Sequence, residues 1–498
     1  MNLQFSAAAN CWSAGKRSMG WIAVLLLITF WFQGCGGGSS TTQPNPPVTG
    51  ASVSAYVTTG DQTKLLQKQL DVTFSSAAPT GTVVTFNPAI QYQVMDGFGA
   101  SMTDSSATVI TQSLTPTQQS QLMSSLFDPT AGIGLSFLRQ PMGASDFSAS
   151  GNYSYDDMPS GQSDPTLAHF SIAHDSSVII PLLKQAISLN PNLKVVALPW
   201  SPPAWMKTSA TMNGGNVDSA QFAPLAQYFV KFTQAYQAQG VPIYAISPQN
   251  EPLYTTASYP TAGMSAIDQA NFIGNYLGPA MSASGLSTVK IIAYDHNWDH
   301  PEYAQTVLGD SKASAYAAGS SFHCYAGDPS GQLTVHNAYP NKDIWFTECS
   351  GTIGSSFAGD LKWNADKLSI GAIRNYARSV SLWNLVLDQN SGPQNGGCQN
   401  CRALVTVDKS VSPSKISYNV EYYILGHLAK FVTPGAHRVD STSIPGGIES
   451  VGFVNPDGSK VLFVLNAGAN TTNFSIQEGT LYFNYTLPAV AVATFSWR

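Results

Sequence analysis

Charge is scarce in this chain. Lysine, arginine, aspartate and glutamate make up 10% of its 498 residues, against about 25% in an ordinary soluble domain. With 23 basic residues, 29 acidic ones and no basic run beyond Lys16-Arg17, it lacks the positive surface that nucleic-acid binding requires. It has no G-x-S-x-G elbow for a serine hydrolase and no P-loop. The stretch "GFGASM" at 97–102 is missing the third glycine of a dinucleotide fingerprint. Cysteines number six, at 11, 35, 324, 349, 398 and 401. Only one C-x-x-C pair exists, so a zinc ribbon is excluded. Metal and organic cofactors are expected to be absent.

The polar surface is built from Ser, Thr, Asn, Gln and Gly instead, a composition that suits an extracytoplasmic protein. Lys16 and Arg17 precede "MGWIAVLLLITFWF" at 19–32, which is short for a membrane span but suits a signal-peptide core. Gly34-Cys35 and the Gly/Ser/Pro-rich segment after it resemble a bacterial lipoprotein cleavage site, with Cys35 as the lipidated residue. Plain secretion is the alternative. Residues 1–34 are thus read as a signal peptide and 35–50 as a tether. The only membrane contact expected is the N-terminal anchor. In an oxidising compartment Cys398 and Cys401 of "CQNC" form a small loop disulfide. Cys324 and Cys349 lie in apolar runs and are read as buried thiols.

Residues 51–91 carry alternating, β-branched runs such as "LDVTFSS" and "TVVTF". From 92 to 430 the pattern changes. Eight short apolar runs alternate with amphipathic stretches such as "FAPLAQYFVKFTQAYQAQG". The runs include "LKVVALPW", "VPIYAISPQNE", "VKIIAYD" and "DIWFTE". Eight βα units imply a closed (β/α)8 barrel of the α/β class, a TIM barrel. Residues 431–498 return to β character, with a hairpin at Asn455-Pro456-Asp457-Gly458. Pairing 51–91 with 431–498 gives one β-sandwich, with the barrel inserted between its halves.

In such a barrel, function sits at the C-terminal strand ends. Those ends hold Asp96, Arg139, Trp200, Asn250, Glu251, Asp295, His323, Glu348, Trp383 and Asn384. Glu251 ends the fourth strand and Glu348 the seventh, across the mouth from each other. A pair of carboxyls in an aromatic-lined pocket suits glycoside hydrolysis: one protonates the leaving oxygen, the other attacks the anomeric carbon or activates water. Arg139 is placed to hold Glu348 ionised, and Asn250 to bind a sugar hydroxyl. Trp200, Trp298, Tyr325 and Trp383 offer stacking faces. Glu251 precedes Pro252, which biases its backbone to an extended form. His323 has no second histidine at helical spacing and is read as an orienting group rather than a metal ligand.

Several long motifs occur together: "DGFGASMTDSSA", "LRQPMGASDFS", "LPWSPPAWMKT", "SPQNEP", "FHCYAG", "FTECSG" and "LWNLVLD". With them the chain resembles glycoside hydrolase family 30, the family of acid β-glucosidase (glucosylceramidase), from about residue 54 to the C-terminus. The resemblance implies a retaining double displacement, with Glu251 as acid/base and Glu348 as nucleophile. It implies Asp146, Trp200, Asn250 and Trp383 in the glycone pocket, Arg139 and Tyr325 on the nucleophile side, and Asp295 near the rim. The chain departs from the animal members at Cys324, at Cys349-Ser350 and in the loop "DQNSGPQNGGCQNCRA". The expected activity is hydrolysis of β-D-glucosides, lipid-linked or oligosaccharide, with endo-β-1,6-glucanase and β-xylosidase as alternatives in the same family. A non-catalytic glycan-binding lipoprotein is the alternative of another class. Oligomeric state is not encoded in any of these features.

Overall fold

The computed structural model describes residues 45–498. The signal segment 1–34, Cys35 and most of the tether lie outside these residues. Eight parallel strands close into a barrel: β1 (Gly97–Ser101), β2 (Phe137–Pro141), β3 (Lys194–Leu198), β4 (Ile243–Ile246), β5 (Lys290–Asn297), β6 (Ala317–His323), β7 (Asp343–Glu348) and β8 (Ala377–Asn384). Pairing of β8 with β1 completes the ring.

Strand periodicity sorts the side chains into two cores. Leu138, Val195, Ala197, Ile291, Ala293, Ile344 and Phe346 face the surrounding helices. Their neighbours Phe137, Val196, Ala245, Ile292 and Trp345 form a separate cluster inside the ring. Both faces of β2, β3, β4, β5 and β7 are therefore largely apolar, and these strands read as near-continuous hydrophobic runs, while β6 and β8 bury serines such as Ser320 and Ser381. The helices between them start on local signals. Pro116–Phe127, for example, begins with Thr115 and Gln118 capping each other, and Pro116 occupies the first turn, where a missing N–H is harmless.

The first apolar run divides. Its "YQV" finishes a sandwich strand, Thr82–Val94, and its "GFGA" starts β1. Asp96 therefore precedes β1 and lies at the opposite end of the barrel from the mouth where the sequence reading put it. There it accepts hydrogen bonds from Lys194 Nζ (2.5 Å), Tyr244 Oη (2.8 Å), Trp345 Nε1 (2.8 Å) and Arg378 Nε (3.1 Å). Despite its burial, Arg378 and Lys194 hold its carboxyl below the ordinary aspartate value.

The N- and C-terminal segments interleave in one sheet system. Ser52–Thr59 pairs antiparallel with Ala491–Trp497, and Thr82–Val94 pairs with His437–Ser441 and Thr472–Glu478. Their inward residues, among them Val53, Phe74, Val84, Phe86, Val464, Phe495 and Trp497, make a core of their own. The expected hairpin is present: Ile448–Val454 pairs antiparallel with Lys460–Asn466, and Gly458 supplies the left-handed turn residue at φ 79°.

The last barrel helix, Val420–Ala429, meets this sheet through His427. Its Nδ1 lies 2.9 Å from Thr494 Oγ1 and its Nε2 2.9 Å from Thr58 Oγ1. Thr494 donates its own hydroxyl proton to the His427 carbonyl (2.8 Å), so Nδ1–H is the donor to Thr494 and Nε2 is the acceptor from Thr58. The ring is neutral, and burial holds its pKa down to about 3. A histidine depressed on folding stabilises above its unfolded value of about 6.5 and loses that contribution as pH falls toward the folded value. His427→Ala is expected to cost about 2–4 kcal/mol, from a cavity and two under-partnered hydroxyls. It should also flatten the loss of stability between about pH 6.5 and about 3. Denaturant melts across this range check both.

Candidate active site

Two residues beyond Phe137 on β2, the strand period points Arg139 into the barrel, one layer above the apolar plug. Arg139 has no solvent exposure, and a buried guanidinium requires paired charges. It donates to Glu348 Oε2 through Nη1, and through Nη2 to Asp295 Oδ2 and Asn250 Oδ1, each at 2.6 Å. Its plane lies 4.7 Å from the Trp200 ring centroid and 5.5 Å from that of Trp383, within cation–π range. Burial opposes its charge, but Asp295 and Glu348 more than restore it.

Asp295 belongs to the floor of the site and not to its rim, contrary to the expectation from the motif. It is buried, and its second oxygen accepts from Ser321 Oγ and Thr347 Oγ1, both at 2.7 Å. Arg139 and His323 overcome burial and hold its carboxyl well below the usual range. The cause of its placement is a kink in β5, where Tyr294 and Asp295 are both left-handed, at φ 73° and 65°. The register between β5 and β6 slips at this point.

Glu251 is left-handed too, at φ 45°, so the extended backbone expected before Pro252 is not the one adopted. Tertiary hydrogen bonds override the local bias. The Glu251 N–H donates to the Asp295 carbonyl (3.0 Å), and its own carbonyl accepts from Tyr254 N–H (2.9 Å), folding "EPLY" into a turn. Such strain costs on the order of 1–3 kcal/mol per residue and collects at functional sites.

The two glutamates face each other. One carboxylate oxygen of each, together with a ring nitrogen of His323, lies within 4.8 Å of the others. Glu348 Oε1 also accepts from Tyr325 Oη at 2.8 Å, so both its oxygens are occupied by donors. Glu251 Oε1 lies 2.9 Å from His323 Nδ1. Burial works against the His323 imidazolium, but Glu348, Asp295 and Glu251 push its pKa up to about 9. For Glu251, burial raises the carboxyl and the His323 charge more than reverses this, leaving it below its ordinary value. Burial raises Glu348, Arg139 and His323 pull it back, and the charge of Glu251 keeps it above its ordinary value. A cation held by Glu251, His323 and Glu348 would meet the Arg139 guanidinium already seated on Glu348.

A cavity of about 580 Å³ opens above this floor. Asp146, Trp200, Asn250, Tyr325 and Trp383 all line it. Trp200 and Trp383 stack on each other, 4.7 Å apart at 20°. Asn250 gives its oxygen to Arg139, which leaves its NH2 for a ligand. Asp146 is nearly buried, with Oδ1 lacking a hydrogen-bond partner among the described residues. Burial, then Glu348 and Glu251, push its pKa well up. Trp298 does not join them. It is buried, packs on Phe346 and donates Nε1–H to Gln332.

Sequence reasoning passed over several contributors. His296 and Tyr259 line the cavity, and so do Gly396, Gly397, Cys398 and Cys401 of the departing loop. Gly397 lies so close to Asp146 that a Cβ on it would fall 2.3 Å from the Asp146 Cβ. Cys398 and Cys401 are disulfide-bonded. So are Cys324 and Cys349, which were read as free thiols. They sit one residue past two adjacent strand ends, and nothing in their 25-residue spacing signals that. The signal for His296 was its place beside Asp295 in "YDHN".

Comparison with known proteins bears on the same residues. The glycosyl hydrolase family 30 TIM-barrel domain matches residues 95–432, and the family's beta sandwich domain matches 435–495. The chain belongs to glycoside hydrolase family 30. An endo-1,6-beta-D-glucanase of Neurospora crassa is 38% identical over 408 residues, covering 78% of this chain and 82% of the relative. The lysosomal acid glucosylceramidase of Mus musculus is 31% identical over 448 residues, covering 84% of each. The solved structure of the endo-beta1,6-glucanase BT3312 superposes with a TM-score of 0.82 at 33% identity, over 89% of this chain and 99% of that one. As a family 30 member, the protein is a glycoside hydrolase.

In this family 30 hydrolase the Arg139 fork joins three groups of the floor. Arg139→Lys keeps the charge but loses the fork that reaches Glu348, Asn250 and Asp295 together. It is expected to lower kcat by about 100-fold or more. Arg139→Ala removes the nearest buried counter-charge of Asp295 and Glu348, leaving only His323, and is expected to cost about 3–5 kcal/mol of stability. Steady-state kinetics and denaturant melts measure the two effects.

Proposed function

We propose that the protein is a retaining β-glucoside hydrolase that cleaves β-1,6-linked glucan. The observation that carries the reaction type is that one carboxylate oxygen of Glu251 lies within 4.8 Å of one of Glu348. Retaining enzymes hold this pair about 5–5.5 Å apart, and inverting ones about 6.5–9.5 Å to admit a water. For the substrate, the 38% and 33% identities to endo-1,6-beta-glucanases support the endo-β-1,6-glucanase alternative over the main expectation of a glucosylceramidase- or β-glucosidase-like activity, the mouse glucosylceramidase being 31% identical.

Glu348 is the nucleophile on this reading, steered by Arg139 and Tyr325 onto the anomeric carbon. Glu251 protonates the departing oxygen. In the empty site that proton rests on His323, one hydrogen bond away at 2.9 Å. When substrate displaces water, the proton passes through Glu251 to the leaving group. Formation of the glycosyl ester removes the Glu348 charge, which lowers the proton affinity of Glu251 and His323 and leaves Glu251 ionised, free to act as the base toward the attacking water. Asn250 NH2 and Asp146 hold hydroxyls of the sugar, and the indoles of Trp200 and Trp383 wall its apolar face.

Purified protein offered linear β-1,6-glucan, glucosylceramide and β-xylosides is expected to release glucose oligomers from the first. Turnover of glucosylceramide with β-1,6-glucan left intact would overturn the substrate reading. Glu348→Gln is expected to lose about 10,000-fold or more in kcat. The pH profile of kcat/KM should be bell-shaped. Its acid limb lies above an ordinary glutamate value, because Glu348 must lose its proton, and its basic limb approaches about 9, where His323 loses its own. His323→Asn should draw the basic limb down and raise the acid limb, because the imidazolium no longer holds Glu348 down. A basic limb unmoved by that change contradicts the proton store.

A further inference from the structure

The bridge between Cys324 and Cys349 takes no part in the chemistry above, yet it sits at the end of the β6–β7 ladder. That ladder slips by one residue between Phe322 and His323, and its last pair is His323 with Glu348. Cys324 and Cys349 are the next residue on each strand, with their sulfurs bonded and their Cα atoms 5.4 Å apart. The covalent link therefore stands where the regular pairing has just been interrupted and then stops.

Three groups that handle the reaction hang on these two short segments. His323, just before Cys324, holds Glu251 at 2.9 Å. Tyr325, just after Cys324, holds Glu348 at 2.8 Å. Glu348 itself precedes Cys349, whose carbonyl accepts from the Trp383 N–H at 2.8 Å and so ties the same point to β8. Tyr325 is solvent-exposed, with its N–H on Asn297 Oδ1 at 3.0 Å as its other anchor. A slide of β6 against β7 would move both glutamates' partners at once.

We propose that Cys324–Cys349 is a positioning element of the catalytic pair, fixing the β6 end against the β7 end so that Tyr325 stays on Glu348 and His323 on Glu251. This rests on the reading of those glutamates given above. A plain structural staple would lower stability alone. A positioning element lowers turnover in protein that is still fully folded, because a displacement of about 1 Å at reacting groups costs up to about 100-fold.

The test compares the full chain with its Cys324→Ala/Cys349→Ala double variant on an aryl β-glucoside and on β-1,6-glucan, at a temperature where circular dichroism shows both folded. The expected result is a kcat lower by about 10- to 100-fold, KM within about threefold, and a basic pH limb drawn down as His323 loosens from Glu251. Unchanged kcat and pH limbs overturn the proposal. Should the variant not fold, the parent protein is opened with a phosphine. The phosphine gives two electrons to the bridge and takes its oxide oxygen from a water molecule, whose two protons complete the thiols. Alkylation and mass spectrometry then follow this pair separately from Cys398–Cys401. Activity that falls in step with opening of the 324–349 bridge supports the role, and full activity with that bridge open overturns it. Parent protein that turns over neither substrate contradicts the hydrolase reading itself, and is seen before any variant is compared.

Discussion

One buried guanidinium organises the mouth of this barrel. Arg139 touches Glu348, Asp295 and Asn250 and lies against the faces of Trp200 and Trp383. Its charge is the strongest influence opposing burial at both Glu348 and Asp295, and its fork fixes which way the Asn250 amide points. A fully buried arginine is costly unless every partner is in place. The strand ends of β2, β4, β5 and β7 are therefore bound to one arrangement. The left-handed turns at Glu251 and Tyr294-Asp295 are the backbone cost of bringing those strand ends to it.

The second cation divides the labour. His323 stands between Glu251 and Asp295, 2.9 Å from the first and 3.4 Å from the second. With Arg139 on one glutamate and His323 on the other, two carboxyls of the same type acquire different environments, the condition under which the proposed acid and nucleophile can differ. Above them the pocket wall is more individual. The loop with Gly396 and Gly397 and the Cys398–Cys401 bridge lines the cavity beside Asp146, as do Tyr254, Tyr259 and Tyr325.

Much of this was legible in the residues. Parallel strands covered on both faces read as apolar runs, so β1–β8 were visible, and acids ending two such runs marked Glu251 and Glu348. The residues that misled did so for physical reasons. "YQVMDGFGA" is short enough to read as one strand, yet two strands meet inside it at Met95-Asp96, which put Asp96 at the wrong end of the barrel. Trp298 follows a strand end but turns into the helix layer, where Gln332 takes its N–H. The pre-proline bias at Glu251 was real and was overridden by one hydrogen bond to Asp295. The Cys324–Cys349 bridge depends on two strands lying side by side, a neighbourhood that sequence order does not contain.

The central claim is that Glu348 forms a covalent ester with the sugar while Glu251 serves it with protons. The direct measurement is mass spectrometry of the protein after inactivation by a 2-deoxy-2-fluoro-β-glucosyl fluoride, which slows breakdown of the ester. The expected result is a single added fluoroglucosyl group on the peptide carrying "FTECSG", at Glu348. A label on Glu251, or hydrolysis with inversion and no trapped ester, would contradict it.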